Sequence, residues 1–71
     1  MNITSEKDVI GHIIQSRRKA RKISQEQLAD IAGISPRTLR DIEKGIANPE
    51  LETLIRICKV LGMELKIEVI K

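Results

Sequence analysis

Between Ala32 and Pro36 the chain has only Gly33, Ile34 and Ser35 in which to end one helix and begin the next. The segment before this gap, SQEQLADIAG, opens with a capping box from Ser24 to Gln27 and closes on Gly33. The segment after it, SPRTLRDIEKG, has Ser35 as N-cap, Pro36 at the first helical position and Gly45 as its stop. Two short helices joined this tightly cannot lie antiparallel and must cross at a steep angle. Leu28, Ala29 and Ala32 form the inner face of the first, and its two alanines allow a close neighbour. Leu39 and Ile42 turn inward from the second.

The same punctuation places two more helices. Ser5, with Asp8 three positions on, caps a helix whose apolar face is Val9, Ile10, Ile13 and Ile14. Gly11 is a weak spot there, costing about 1 kcal/mol relative to Ala in a helix interior. NPELETLIRICKVLG repeats the device, with Asn48 as cap, Pro49 first, Glu50 in the first turn and Gly62 at the end. Leu51, Leu54, Ile55, Cys58 and Leu61 make its expected buried stripe. Beyond Gly62 the pattern changes to alternation: Met63, Leu65, Ile67 and Val69 on one side, Glu64, Lys66 and Glu68 on the other. That is the period of a half-buried strand, over residues 63–70. The expected architecture is one domain, 1–71: an all-α body over 5–62 plus one terminal strand.

With 71 residues and no Phe, Trp or Tyr, the core must be built from Ile, Leu, Val, Ala and Met. That is a thin supply for a free monomer, and self-association is a usual remedy. The single cysteine, Cys58, excludes an intrachain disulfide and suits a reducing compartment; its apolar neighbours point to a core thiol. The one histidine, His12, has no partners at ligand spacing, so no metal or other cofactor is expected. No apolar run is long enough to span a bilayer and no signal peptide is visible, so a soluble cytoplasmic protein is expected, without membrane partners. An enzyme is disfavoured: there is no nucleophile–base pair, Gly-rich phosphate loop or metal cluster.

Charge is unevenly placed. Residues 1–23 carry six basic and two acidic side chains, and five of the six residues from Arg17 to Lys22 are basic. Such a run can track a phosphate backbone, or be a solvated helix end that favours its own C-terminus. The steep pair of helices decides the emphasis. It is a helix-turn-helix unit, over about residues 25–44, whose second helix is built to enter the DNA major groove. Arg37, Arg40, Asp41 and Lys44 fall at i, i+3, i+4 and i+7 of that second helix, on one polar stripe. Arginine reads guanine O6 and N7 with two parallel hydrogen bonds. Asp41 can accept from a cytosine amine or, as the favoured reading, hold Arg37 one turn away.

The run from Ser24 to Gly62 resembles the phage Cro/cI-type repressor domain, also called the Xre helix-turn-helix family. The resemblance rests on Arg18, Ser24-Gln25, Leu28-Ala29, Gly33-Ile34-Ser35, Ile42-Glu43, Gly45, Asn48-Pro49 and Leu54. It implies a lambda-repressor-like fold of four helices. It implies base-facing roles for Pro36, Arg37, Arg40 and Asp41, and phosphate contacts from Gln25, Thr38, Lys44 and Asn48, with Arg17 and Arg21 added from the basic run. Arg18 and Glu43 match a structural ion pair. Lys22 departs from the pattern, since the family commonly ends its first helix there with glycine. Lysine in a left-handed cap is strained by roughly 1 kcal/mol or more, which leaves the form of that turn open. Pro36 departs too, supplying neither an amide nor a polar contact.

A lone strand leaves its backbone groups unmet, and the helical body offers no partner. The solution expected is pairing with the same strand of a second copy, through Met63, Leu65, Ile67 and Val69. Glu64 or Glu68 then opposes Lys66 or Lys71. A homodimer also sets two recognition helices about 34 Å apart, one turn of DNA, on a two-fold operator. The alternative is a strand that docks on a different protein, in an interaction adaptor without a DNA role. The short domain with its terminal strand is similar to the HipB-type antitoxins. That similarity implies a repressor of its own toxin-antitoxin operon, partnered by a HipA-like kinase toxin.

Overall fold

Serines start three of the four helices among the described residues, as their spacing implies. In the computed structural model, which describes residues 5–70, Ser5 accepts from the Asp8 amide and begins α1 (Glu6–Ala20). Ser24 accepts from the Gln27 amide while the Gln27 side chain accepts from the Ser24 amide, closing the capping box of α2 (Gln25–Ala32). Ser35 accepts from the Thr38 amide at the start of α3 (Pro36–Glu43), with Pro36 at its first position. The fourth helix, α4 (Leu51–Val60), starts later than the sequence suggests. Asn48 is not its cap and Pro49 is not its first residue. Glu50 is extended at the N-cap and makes no side-chain cap bond. The reason lies upstream: the amides of Ile46 and Ala47 both bond the Asp41 carbonyl, holding that stretch against the end of α3. Residues 48–50 are then needed to cross to α4.

All four helices stop in the same way. An amide beyond each helix reaches back to a carbonyl five residues earlier: Ile23 to Arg18, Ile34 to Ala29, Ile46 to Asp41, Met63 to Cys58. The amide just before it bonds a carbonyl three back, from Lys22, Gly33, Gly45 and Gly62 in turn. This is the Schellman closure, which requires a left-handed residue at its pivot. Three pivots are glycine, and the fourth is Lys22 with φ 57°. The turn at Lys22 therefore keeps the left-handed form at the expense of backbone strain.

The core is Ile14, Leu28, Ala29, Ala32, Leu39, Ile42, Ile57 and Leu61, all buried. α2 packs on both α3 and α4, and α1 packs along α3. Along that second contact Gly11 is no weak spot: an added Cβ would run into the Ile42 carbonyl oxygen and lie 2.7 Å from that of Glu43. Glycine lets the backbones of α1 and α3 touch there.

Three expectations are corrected. The buried stripe of α4 is Thr53, Ile57 and Leu61, whereas Leu51 and Ile55 are exposed and Leu54 and Cys58 half-buried. On α1, Ile14 is buried but Val9 and Ile13 are about half exposed. Both helices thus carry more apolar surface than the other described residues cover. Residues 63–70 form no strand among the described residues, because a ladder needs a second strand and none of these residues supplies one. Lys71, one of the expected cross-strand partners, lies outside the described residues.

Candidate nucleic-acid interface

The orientation of α3 is fixed from behind by a buried ion pair. Arg18 on α1 donates through Nε to Glu43 Oε2 at 2.7 Å and through a terminal nitrogen to Oε1 at 3.1 Å. Its other terminal nitrogen donates to the Ile23 carbonyl at 2.9 Å. The Glu43 side chain is 1% exposed, and Gln25 Nε2 donates to its Oε1 at 2.9 Å. One carboxylate therefore gathers the end of α1, the start of α2 and the last residue of α3. The bidentate fork is what arginine supplies and lysine cannot. Every partner is satisfied, so the charges are tolerated in a site that excludes water.

With Leu39, Ile42 and Glu43 turned inward, the outer side of α3 follows by helical geometry. Pro36, Arg37, Thr38, Arg40 and Lys44 are all exposed, and Asp41 is half-buried. Arg37 and Asp41 form no ion pair, so the reading in which Asp41 holds Arg37 is not realised in this structure. The Asp41 carbonyl instead anchors the loop after α3. Thr38 Oγ1 accepts from the Ser35 hydroxyl at 2.9 Å, which leaves its own O–H free to donate outward. Gln25 spends one amide hydrogen on Glu43, so its carboxamide is held in place with a second N–H unused by those partners. It stands at the N-terminus of α2, where an anion is favoured by free amides and the helix dipole. Asn48 is exposed in the loop beyond α3.

Arg17 and Arg21, assigned phosphate contacts from sequence, also have a neighbour within the chain. Arg17 Nε donates to the Leu61 carbonyl at 2.8 Å, and a Cβ on Gly62 would lie 3.0 Å from an Arg21 nitrogen. Both guanidinium groups gather at the C-terminal end of α4, where the helix dipole is negative. The basic run is thus partly an internal brace. Arg56, which the sequence reading passed over, makes a second brace: its Nε donates to the Ala32 carbonyl at 2.9 Å and ties α4 to the last turn of α2. The available signal was an arginine set among apolar residues in LIRIC.

Away from α3, the groove between α1 and α4 is lined by Ile10, Ile13, Leu54, Cys58, Met63 and Leu65. Cys58 stands at its edge, not in the core, and burial pushes its thiol pKa up from the ordinary cysteine value.

Two short helices joined through Gly33, Ile34 and Ser35 and packed together, with an exposed basic stripe on the second, define a helix-turn-helix domain. The helix-turn-helix family pattern matches residues 14–67, and the chain belongs to that family. It is 42% identical over 55 residues to an immunity repressor protein of Bacillus phage phi105, covering 78% of this chain and 38% of that protein. It is 41% identical over 59 residues to an HTH-type transcriptional regulator of Haemophilus influenzae, covering 83% of this chain and 59% of that one. The chain thus spans between about two fifths and three fifths of these relatives' lengths. In fold it is similar to the restriction-modification controller protein C.AhdI of Aeromonas hydrophila, with a TM-score of 0.81 and 24% identity over 86% of this chain and 92% of that one. No helix among the described residues is long and apolar enough to cross a membrane.

Proposed function

We propose that this domain is a sequence-specific double-stranded DNA-binding transcriptional regulator, acting as a repressor and as a homodimer on a two-fold operator. The observation that carries the reading is the exposed stripe Arg37, Thr38, Arg40 and Lys44 on a helix whose back is pinned by Leu39, Ile42 and Glu43. Arg37 and Arg40 read base edges, with Asp41 and Pro36 beside them. Gln25, Thr38, Lys44 and Asn48 set the register on phosphates. The printed names of the relatives, a repressor and a transcriptional regulator, support this assignment. Two copies joined through their terminal segments place two such stripes about one helical turn of DNA apart.

The test is selection of bound duplexes from a random pool, then titration of the selected site by the native chain and by Arg40→Ala. Loss of a bidentate guanine contact weakens the site by about 1–3 kcal/mol and relaxes preference at one base position. Equal affinity of the two proteins for the selected site sinks the recognition-helix assignment. Affinity for every duplex should also fall steeply with salt, since phosphate contacts release counterions. No duplex binding at low salt returns the chain to the adaptor reading. The HipB-like antitoxin setting, with a HipA-like kinase toxin as partner, rests on the short helix-turn-helix domain combined with the alternating terminal segment. Its test is whether the adjacent gene product is toxic and is neutralised by this chain.

A further inference from the structure

Leu65 lines the α1–α4 groove, while Ile67, Val69 and Ile70 are each more than 90% exposed. Ile13 of α1 lines the same groove and is about half exposed, and Ile55 of α4 lines an adjoining hollow with Met63 and Leu65, so apolar surface beside the tail is left uncovered by the core. We propose that this surface takes the tail of a second copy of this chain, in an antiparallel ribbon whose two-fold axis passes through Ile67. The proposal rests on the homodimer above and adds its register.

Charge complementarity selects that register. Opposed residues of an antiparallel pair share a face, so a slip by one residue sets apolar against charged side chains throughout. Among the registers that avoid this, one centred on Lys66 opposes Lys66 to itself and Glu64 to Glu68. One centred on Glu68 opposes two carboxylates at the axis. A register centred on Leu65 pairs Glu64 with Lys66, but it sets Glu68 against Gly62, which is committed to the left-handed turn ending α4. Only about residues 63–67 are then left to pair. Centring on Ile67 instead uses 64–70 in full. Lys66 meets Glu68 twice, Leu65 meets Val69 twice and Ile67 meets itself; the one mismatch is Glu64 against Ile70, at each end of the ribbon. It also lays Val69 of the second copy beside Leu65 at the groove. Within one chain Lys66 already lies 4.0 Å from Glu64, with both side chains exposed, so its ammonium is open to a second carboxylate.

The experiment is sedimentation or light scattering of the full chain and charge-swapped variants, with helix content checked by circular dichroism. In this register Lys66→Glu opposes two carboxylate pairs and Glu68→Lys two ammonium pairs. Each substitution raises the dimer dissociation constant about tenfold, from two like-charge pairs replacing two ion pairs. The double variant K66E/E68K recovers the dimer. Mixing the two single variants gives a heterodimer tighter than either homodimer, because both its charge pairs are complementary. Rescue of K66E by E64K instead overturns the register and places the axis at Leu65, with the dimer intact. Unchanged dimerisation of both single variants overturns the ribbon as the interface. A native chain that stays monomeric at tens of micromolar overturns the homodimer itself, which separates that failure from a wrong register.

Discussion

Replacing Gly11 with alanine should destabilise this protein, although helix propensity alone says the reverse. In an exposed helix interior the exchange gains roughly 0.8–1 kcal/mol. Here the new methyl carbon would collide with the Ile42 carbonyl oxygen and lie 2.7 and 2.9 Å from the Glu43 carbonyl oxygen and carbon. Comfortable separation between such atoms is about 3.5 Å. α1 and α3 must therefore part by more than half an ångström, to an order of magnitude. No side-chain rotation can relieve this, because both obstacles are backbone. Parting them stretches the Arg18–Glu43 fork and loosens Ile14 against the core.

Overpacking of this kind costs about 1–3 kcal/mol before any loss from the ion pair. A chain of this size has a total stability of roughly 4–10 kcal/mol. Net of propensity, the overpacking alone should cost up to about 2 kcal/mol, or up to roughly 8–16 °C in Tm for a domain this small, with any loosening of the ion pair adding to it. The assay is thermal unfolding by circular dichroism, both proteins at one concentration, since any dimer makes Tm concentration-dependent. A rise in Tm would falsify the claim that backbone contact at Gly11 sets the spacing of α1 and α3.

Glu43→Ala leaves the Arg18 guanidinium buried without its counter-charge, and urea titration should show a loss of about 3–5 kcal/mol. Replacing Arg18 and Glu43 together with apolar residues of similar size should recover most of that loss. Lys22→Gly relieves the left-handed pivot at φ 57°, and should raise stability by about 0.5–1 kcal/mol after the entropy of the added glycine is counted. Cys58 should alkylate with a pH midpoint above that of the urea-unfolded chain, because burial raises its pKa. The linkage sign follows. The folded state holds this proton more tightly, so its contribution is whole below the unfolded thiol pKa and declines as pH rises towards the folded value. A folded-state midpoint equal to or below the unfolded one refutes the burial argument.

Helix starts and stops were legible because they are local. Ser5, Ser24 and Ser35 each need only an amide three residues on, and Gly33, Gly45 and Gly62 only a left-handed backbone. The stripe on α3 was legible for the same reason, since spacing alone puts Arg37, Arg40 and Lys44 on one side. What spacing does not carry is the identity of the neighbour. Spacing marks Arg17 as a cation open to phosphate but not as a donor to the Leu61 carbonyl, 44 positions away in sequence. Gly11 reads as a helix defect until the Glu43 backbone is found against it.

The misjudged face of α4 follows the same logic and bears most on function. Leu51, Leu54, Ile55, Ile57, Cys58, Val60 and Leu61 leave α4 apolar over most of its circumference, so periodicity admits more than one buried stripe. Thr53 decides against the stripe through Leu51 and Ile55, because the core lies on the side of Thr53, Ile57 and Leu61. The second apolar side is then left open in the single chain, next to a tail that alternates in period two. A helix with two apolar faces is expected where one serves the fold and the other an association. Truncation after Gly62 separates these roles. It removes the tail but leaves Thr53, Ile57 and Leu61 in place, so helix content should survive while the solution mass falls to that of a monomer. The truncated chain should then bind a single half-site and lose the gain from two linked recognition helices. Persistence of the dimer after truncation would locate the association on Leu51 and Ile55 without the tail.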